Sequence, residues 1–243
     1  MIRIDDRQRR ARLAVRHHLS PLAVASDPVQ VADDLVGIHA TDPASVYLGL
    51  RARTRGIDHA RVAHELYDAR SLLRIVGMRR TMFVVPLELA GVMTAGCARA
   101  IAVPERKRLH AMLSGAGIAS DPGPWLRAVE AETMAALEAA GEATATELTA
   151  VVPGLREQIP FGAGKRWQGQ VGVSTRVLFL LSMEGRILRA RPRGTWLSSQ
   201  YRWAPVARWL GDEYPDRPTA EARVELVRRW LRTFGPGTIT DLR

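Results

Sequence analysis

The chain has 243 residues, 47% apolar and 25% charged, enough for one large globular domain or two to three small ones. Disorder and membrane insertion are excluded at this level, since no apolar run approaches the ~20 residues that a bilayer requires. A net charge of +10 favours a polyanionic partner, and a single cysteine, Cys97, excludes an internal disulfide framework and fits a reducing cytoplasm.

The opening run "MIRIDDRQRRARLAVRHHL" is charged throughout, so it does not read as a secretory signal. Helices are predicted over 6–18, over 28–38 with Asp27 as cap and Pro28 at the first position, and over 43–53. A fourth, over 58–69, precedes "LLRIVGMRRTMFVVP", which reads as strand 72–76, a tip at Gly77-Met78-Arg79-Arg80, and strand 81–85. Residues 87–120 read as a helical connector with a Gly/Ser/Pro linker at 114–124. "WLRAVEAETMAALEAA" then sets Leu126, Val129, Thr133, Ala136 and Leu137 on one helical stripe. A helix to Val152 is stopped by Pro153-Gly154, and "PFGAGKRWQGQ" reads as a Gly-rich loop. Val173, Val177, Leu178 and Leu181 form the next stripe, ended by Gly185. "RILRARPRGTWLSSQYRWAP" follows as a second hairpin with Pro192-Arg193-Gly194 at its tip, and "RVELVRRWLRTF" is a last amphipathic helix.

Two segments, "GEATATEL" (141–148) and "GPGTITDL" (235–242), share the pattern Gly-x-x-Thr-x-Thr-acid-Leu after a helix. Glycine ends the incoming helix, and Thr144 with Glu147 makes a capping box for the next. Three helices followed by a two-stranded hairpin is the order of a helix-turn-helix with a wing. The expected fold class is therefore mainly α with small β-hairpins (α+β), built as tandem winged-helix modules. Residues 1–86 form the first, 87–124 a connector, 125–210 the second, and 211–243 the opening of an incomplete third.

Charge is unevenly distributed. Of the 35 basic residues 33 are arginine, a pattern that genome composition alone can produce, so position matters more than the total. Residues 1–150 hold 19 basic and 17 acidic side chains, whereas 151–211 hold 10 basic against Glu157 and Glu184. The excess in that quarter points to a phosphate-binding surface.

Three stretches, "GIHATDPASVYLGLRAR", "RIVGMRRTMFVVP" and "VGVSTRVLFLLSMEGRILRARPRGTWLSSQYRWAP", resemble the tandem winged-helix family of bacterial DNA glycosylases. The resemblance covers essentially the whole chain. It implies removal of alkylated bases, or unhooking of crosslinks and bulky adducts, without metal or organic cofactor. The family continues through a complete third winged helix, so a C-terminally truncated chain is expected. A Gln-apolar-Gln motif stands in the family where His39-Ala40-Thr41 stands here. His39 matches a variant of the first position, Thr41 departs from the last, and Asp42 and Pro43 match the residues that follow.

Side chains at i and i+2 of an extended segment point the same way, so His39 and Thr41 face one ligand. An imidazole can orient or deprotonate the attacking water, a threonine hydroxyl can hold it, and Asp42 can stabilise a sugar cation. The alternative is that His39 and Asp42 only satisfy a helix end and its loop. Met78, Arg79 and Arg80 suit wedging the duplex and gripping phosphates, or form a solvated turn. Arg189, Arg191 and Arg193 read as a phosphate-binding wing, with Lys165 and Arg166 approaching the backbone from the Gly-rich loop; "GAGK" lacks the spacing of a nucleotide-binding P-loop. Tyr47 and Arg51 are expected to line the substrate cleft, whereas Trp167, Trp196, Tyr201 and Trp203 are read as packing. With neither an HExxH motif nor paired cysteines, no metal site is expected.

The expected partner is double-stranded DNA, damaged or undamaged, bound by a cytoplasmic monomer with no membrane and no obligate protein partner. The alternative is a non-catalytic winged-helix DNA-binding protein, either a transcription factor or a glycosylase whose site has decayed at Thr41. The glycosylase reading carries one spatial expectation: both arginine-tipped hairpins and His39 open onto a single basic hollow.

Overall fold

The computed structural model describes residues 4–162, 164–166, 168–215 and 217–242; Trp167 lies outside them. Helix α1 (Asp6–Arg16) starts at a capping box between Asp5 and Gln8. In α2 (Pro28–Asp34) the Asp27 carboxylate accepts from the Val29 amide at 3.0 Å, and Pro28 occupies the first turn, where its missing N–H is harmless. This helix ends earlier than its periodicity predicts. Val36 and Gly37 turn left-handed, at φ 56° and 105°, and redirect the chain into the two-residue strand β1 (Ile38–His39). Helix α3 (Pro43–Arg51) is capped by Asp42, and α4 (His59–Ala63) runs on as a π-helical turn, His64–Asp68.

Strands β2 (Leu72–Val76) and β3 (Met82–Pro86) form the first hairpin. Helix α5 (Leu87–Met93), a π-helical turn at Thr94–Ala98 and α6 (Arg99–Gly115) then make one continuous helix of 29 residues. Its most apolar window has the length and mean hydropathy (1.3) of a membrane span, with 56% of that window buried within the fold. Leu89, Met93 and Leu113 on it are fully enclosed, each contributing about 2 kcal/mol of transfer free energy. The predicted linker at 114–124 shrinks accordingly, because α6 extends to Gly115 and α7 (Pro122–Ala140) begins at Pro122.

Beyond α7 come β4 (Ala143–Thr144), α8 (Ala145–Val151), and a short ribbon of β5 (Gln158–Phe161) with β6 (Gly169–Gly172). This ribbon replaces the expected Gly-rich loop. Only Ile159 opposite Val171 supplies an apolar cross-strand pair, too little for an alternating pattern to be seen in the sequence. Helix α9 (Val173–Met183), strands β7 (Ile187–Arg189) and β8 (Arg202–Pro205), α10 (Val206–Leu210) and α11 (Thr219–Phe234) complete the order. The result is an α+β fold, as expected.

Both hairpins belong to one six-stranded sheet in the order β1-β3-β2-β7-β8-β4, with every pairing antiparallel. The halves meet between β2 and β7, where Arg74 stands opposite Arg189. One apolar cluster runs through both, from Leu50 and Leu72 to Leu178 and Trp203. An ion-pair hub reinforces the packing: Arg106 on α6 reaches Glu130 on α7 at 2.8 Å and Glu184 after α9 at 2.5 Å. The eight-residue repeat has a structural counterpart. Thr144 N donates to the Glu147 carboxylate at 2.7 Å, and Thr238 N donates to the Asp241 carboxylate at the same distance.

Candidate functional site

The His39-Ala40-Thr41 segment is an edge strand running into a helix start. Ile38 pairs with Val84 and His39 with Phe83, and the Ala40 amide donates to the Met82 carbonyl at 2.7 Å. Alternation places Ile38, Val84 and Arg74 on one face of the sheet, and His39, Phe83 and Ile75 on the other. Ile38 is buried, whereas His39 is exposed and meets the Phe83 ring edge-on, with centroids 5.7 Å apart. Its Nε2 lies 3.2 Å from Thr41 Oγ1, so the two polar side chains share a hydrogen bond at the surface. Asp42 caps α3: its carboxylate accepts from the Ser45 amide at 2.9 Å, and Ser45 Oγ donates to the Asp42 carbonyl at 2.7 Å. A cap is therefore the observed task of Asp42.

Sequence reasoning missed the residue that fixes this segment. Arg74, only 4% exposed, donates to the carbonyls of Ala40 and Thr41, the latter at 3.3 Å. Its guanidinium stacks 4.1 Å from the Tyr201 ring centroid, and Arg189 stacks on the same ring at 4.4 Å. Neither arginine has a carboxylate partner within ion-pair distance among the described residues. Burial, followed by the like charge of Arg74, lowers the Arg189 guanidinium to about 10. The available sequence signal was a lone arginine inside the apolar run "LLRIV", all of which is buried.

The expected wing is corrected by these contacts. Arg189 is half-buried on the sheet face opposite His39, stacked on Tyr201. Arg191 pairs with Asp68 at 2.6 Å and lies over the Tyr67 ring, and Arg193 pairs with Glu147. Tyr47 is likewise buried rather than lining an open cleft; its ring packs 4.9 Å from Trp196, and burial raises its phenol. Arg51 is exposed in the last turn of α3, with no acidic partner among the described residues.

The first hairpin's tip is different. Met78–Arg80 form a 3-10 turn closed by Gly77 N to Thr81 O at 2.9 Å, with Arg79 and Arg80 at φ 54° and 62°. Arg79 is exposed without an ion pair among the described residues, and Arg80 lies 3.0 Å from Glu105. Met78 is half-buried against the core, so the apolar wedge expected there is already packed. Ala40 bonds to Met82, next to the tip, so the tip and His39-Thr41 share one end of the sheet. Lys165 and Arg166 are exposed in the β5–β6 turn. The structure thus gathers His39, Thr41, Asp42 and the first tip, and separates them from Arg189. No cluster of three or more His, Cys, Asp or Glu side chains suited to a metal occurs among the described residues.

Comparison with known proteins places this arrangement. No curated protein sequence matches the chain. The structure superposes on that of Streptomyces sahachiroi DNA glycosylase AlkZ with a TM-score of 0.70 at 20% identity, over 98% of this chain and 59% of that one. The chain therefore spans well under two thirds of the protein it matches, and the likeness establishes the fold. A family profile described as DNA glycosylase AlkZ-like matches residues 32–243, the segment that holds β1, both hairpins and all the site residues named above. The chain belongs to the AlkZ-like DNA glycosylase family.

Proposed function

We propose that the protein binds duplex DNA and hydrolyses the N-glycosidic bond of an alkylated, bulky-adduct or crosslinked base. One observation carries the reading: an exposed His39 hydrogen-bonded to Thr41 at 3.2 Å, at the sheet end that also bears the exposed arginine tip. In the reaction, water oxygen bonds to the sugar's anomeric carbon and the carbon–nitrogen bond breaks. The electron pair leaves with the base, and the water proton passes to His39. A cationic alkylated purine leaves as a neutral base, so a sparse site suffices. Thr41 Oγ1, accepting from Nε2–H, fixes the tautomer that leaves the Nδ1 lone pair to take that proton. Family membership and the order of helices before each hairpin support a winged-helix architecture in the modules predicted from the sequence. The proposed protein acts as a cytoplasmic monomer without a cofactor.

The test is release of abasic sites from duplex carrying a 7-methylguanine-type lesion. The unaltered protein is expected to generate them. His39→Ala is expected to abolish release with DNA affinity nearly unchanged; undiminished release by that variant would exclude the mechanism. A second reading, a DNA-binding protein without turnover, is favoured by the engagement of Asp42 as a helix cap. It predicts binding to lesion-bearing duplex with no abasic product.

A further inference from the structure

We infer that Arg80, Arg108 and Arg176 form a seat for a phosphodiester of duplex DNA, joining the first hairpin's tip to α6 and α9. The inference rests on the DNA-binding reading above and extends it to residues outside either hairpin. The tip reaches α6 directly, through Arg80 at 3.0 Å from Glu105. Glu105 and Arg108, one turn apart on α6, share with Thr175, Arg176 and Phe179 of α9 a cleft of about 60 Å³. Arg176 is half-buried there, and its Nε is shielded from solvent with no hydrogen-bond partner.

Three guanidinium groups thus stand around the cleft, with Glu105 as the carboxylate that Arg80 reaches and Arg176 senses. Neither Arg108 nor Arg176 has an ion pair among the described residues. The crowding registers in Arg176, which burial lowers most and the Arg108 charge lowers next, with Glu105 opposing. Desolvating a cation without a matching anion is unfavourable, and a phosphate oxygen provides the missing acceptor. Guanidinium forks match phosphate in geometry as well as charge.

The cleft is far below the several hundred Å³ of a small-molecule site, so it admits one anionic group whose bulk stays outside. Arg79 on the tip and Lys107 on α6 are exposed and extend the positive surface. A polymer with regularly repeated phosphates fits that description. The tip lies beside Met82, the partner of Ala40, so a strand held here passes the end of the sheet that carries His39.

The experiment measures affinity for a short undamaged duplex against salt, using fluorescence anisotropy. Each phosphate contact contributes about 0.9 to the slope of log affinity against log salt. The Arg108→Ala/Arg176→Ala variant, which loses the one phosphate contact, is therefore expected to show a slope shallower by about one. Between about 50 and 200 mM salt it should lose about threefold less affinity than the unaltered protein. Arg176→Lys in the otherwise unaltered chain should retain the full slope, and Glu105→Gln should tighten binding. Thermal melting checks the fold; if Arg176→Ala does not fold, Arg108→Ala alone is expected to weaken binding at low salt and to reduce the slope by part of that one. An unchanged slope in a folded variant, set against a steep one in the unaltered protein, overturns the seat and leaves the DNA-binding reading standing. Salt-insensitive binding by the unaltered protein would overturn both.

Discussion

The two hairpins carry similar arginine content and use it in opposite ways. At the first tip Arg79 is exposed without an acid, and Arg80 shares Glu105 with Arg176 of α9. In the second, Arg189 is stacked on an aromatic ring, while Arg191 and Arg193 are neutralised by Asp68 and Glu147. The region 151–211, so basic in sequence, is partly compensated in space. Arg186, Arg191, Arg193 and Arg202 pair with Glu130, Asp68, Glu147 and Glu142, all of which precede residue 151. Arg156 and Arg208 donate to carbonyls at the ends of α8 and α7. Of that region's ten basic residues, six have no ion pair among the described residues: Arg156 and Arg208 are held on carbonyls, Arg189 on the Tyr201 ring, and Lys165, Arg166 and Arg176 remain. A local charge sum along the chain therefore overstates what a polyanion meets.

Three experiments probe this contrast. The largest effect is expected at the pair that joins the hairpins. Arg74→Met deprives the Ala40 and Thr41 carbonyls of their donor and should cost on the order of 2 kcal/mol in denaturant unfolding. Next, Arg79→Ala/Arg80→Ala should reduce DNA affinity about tenfold at low salt and flatten its salt dependence, whereas Arg191→Ala/Arg193→Ala should barely change either. Equal losses from the two variants would erase the distinction between the tips. The smallest effect is one of opposite sign. Arg189→Met replaces a half-buried cation that lacks a carboxylate, so it should gain up to about 1 kcal/mol, read as a few degrees in Tm. A clear loss of stability would mean that stacking on Tyr201 outweighs the desolvation of Arg189.

Much of the fold was legible locally. Strand 72–76 matches β2, Asp27-Pro28 and Asp42-Pro43 cap the helices they precede, and the Thr144–Glu147 box is made as its residues imply. What failed to show was pairing set by tertiary contact. The two-residue strands β1 and β4 are too short for any periodicity, and the junction of the halves is a pair of arginines, which pattern reasoning assigns to solvent. The site divides along the same line. His39 and Thr41 were found because an i, i+2 relation is local. Arg74, 33 residues from Thr41, is joined to it only by folding. The ion pairs of the second hairpin's arginines did not show because their acids are distant in sequence, on the π-helical turn after α4 and on α8.

The left-handed backbone at Arg79 and Arg80 has a consequence of its own. Two adjacent residues with a Cβ occupy a conformation that glycine adopts without steric penalty, at a cost of order 1 kcal/mol apiece. A glycine pair would make the quieter turn. That strain sets two long cations at one bend, Arg79 in solvent and Arg80 braced on Glu105, and a relaxed loop would give up the placement of both.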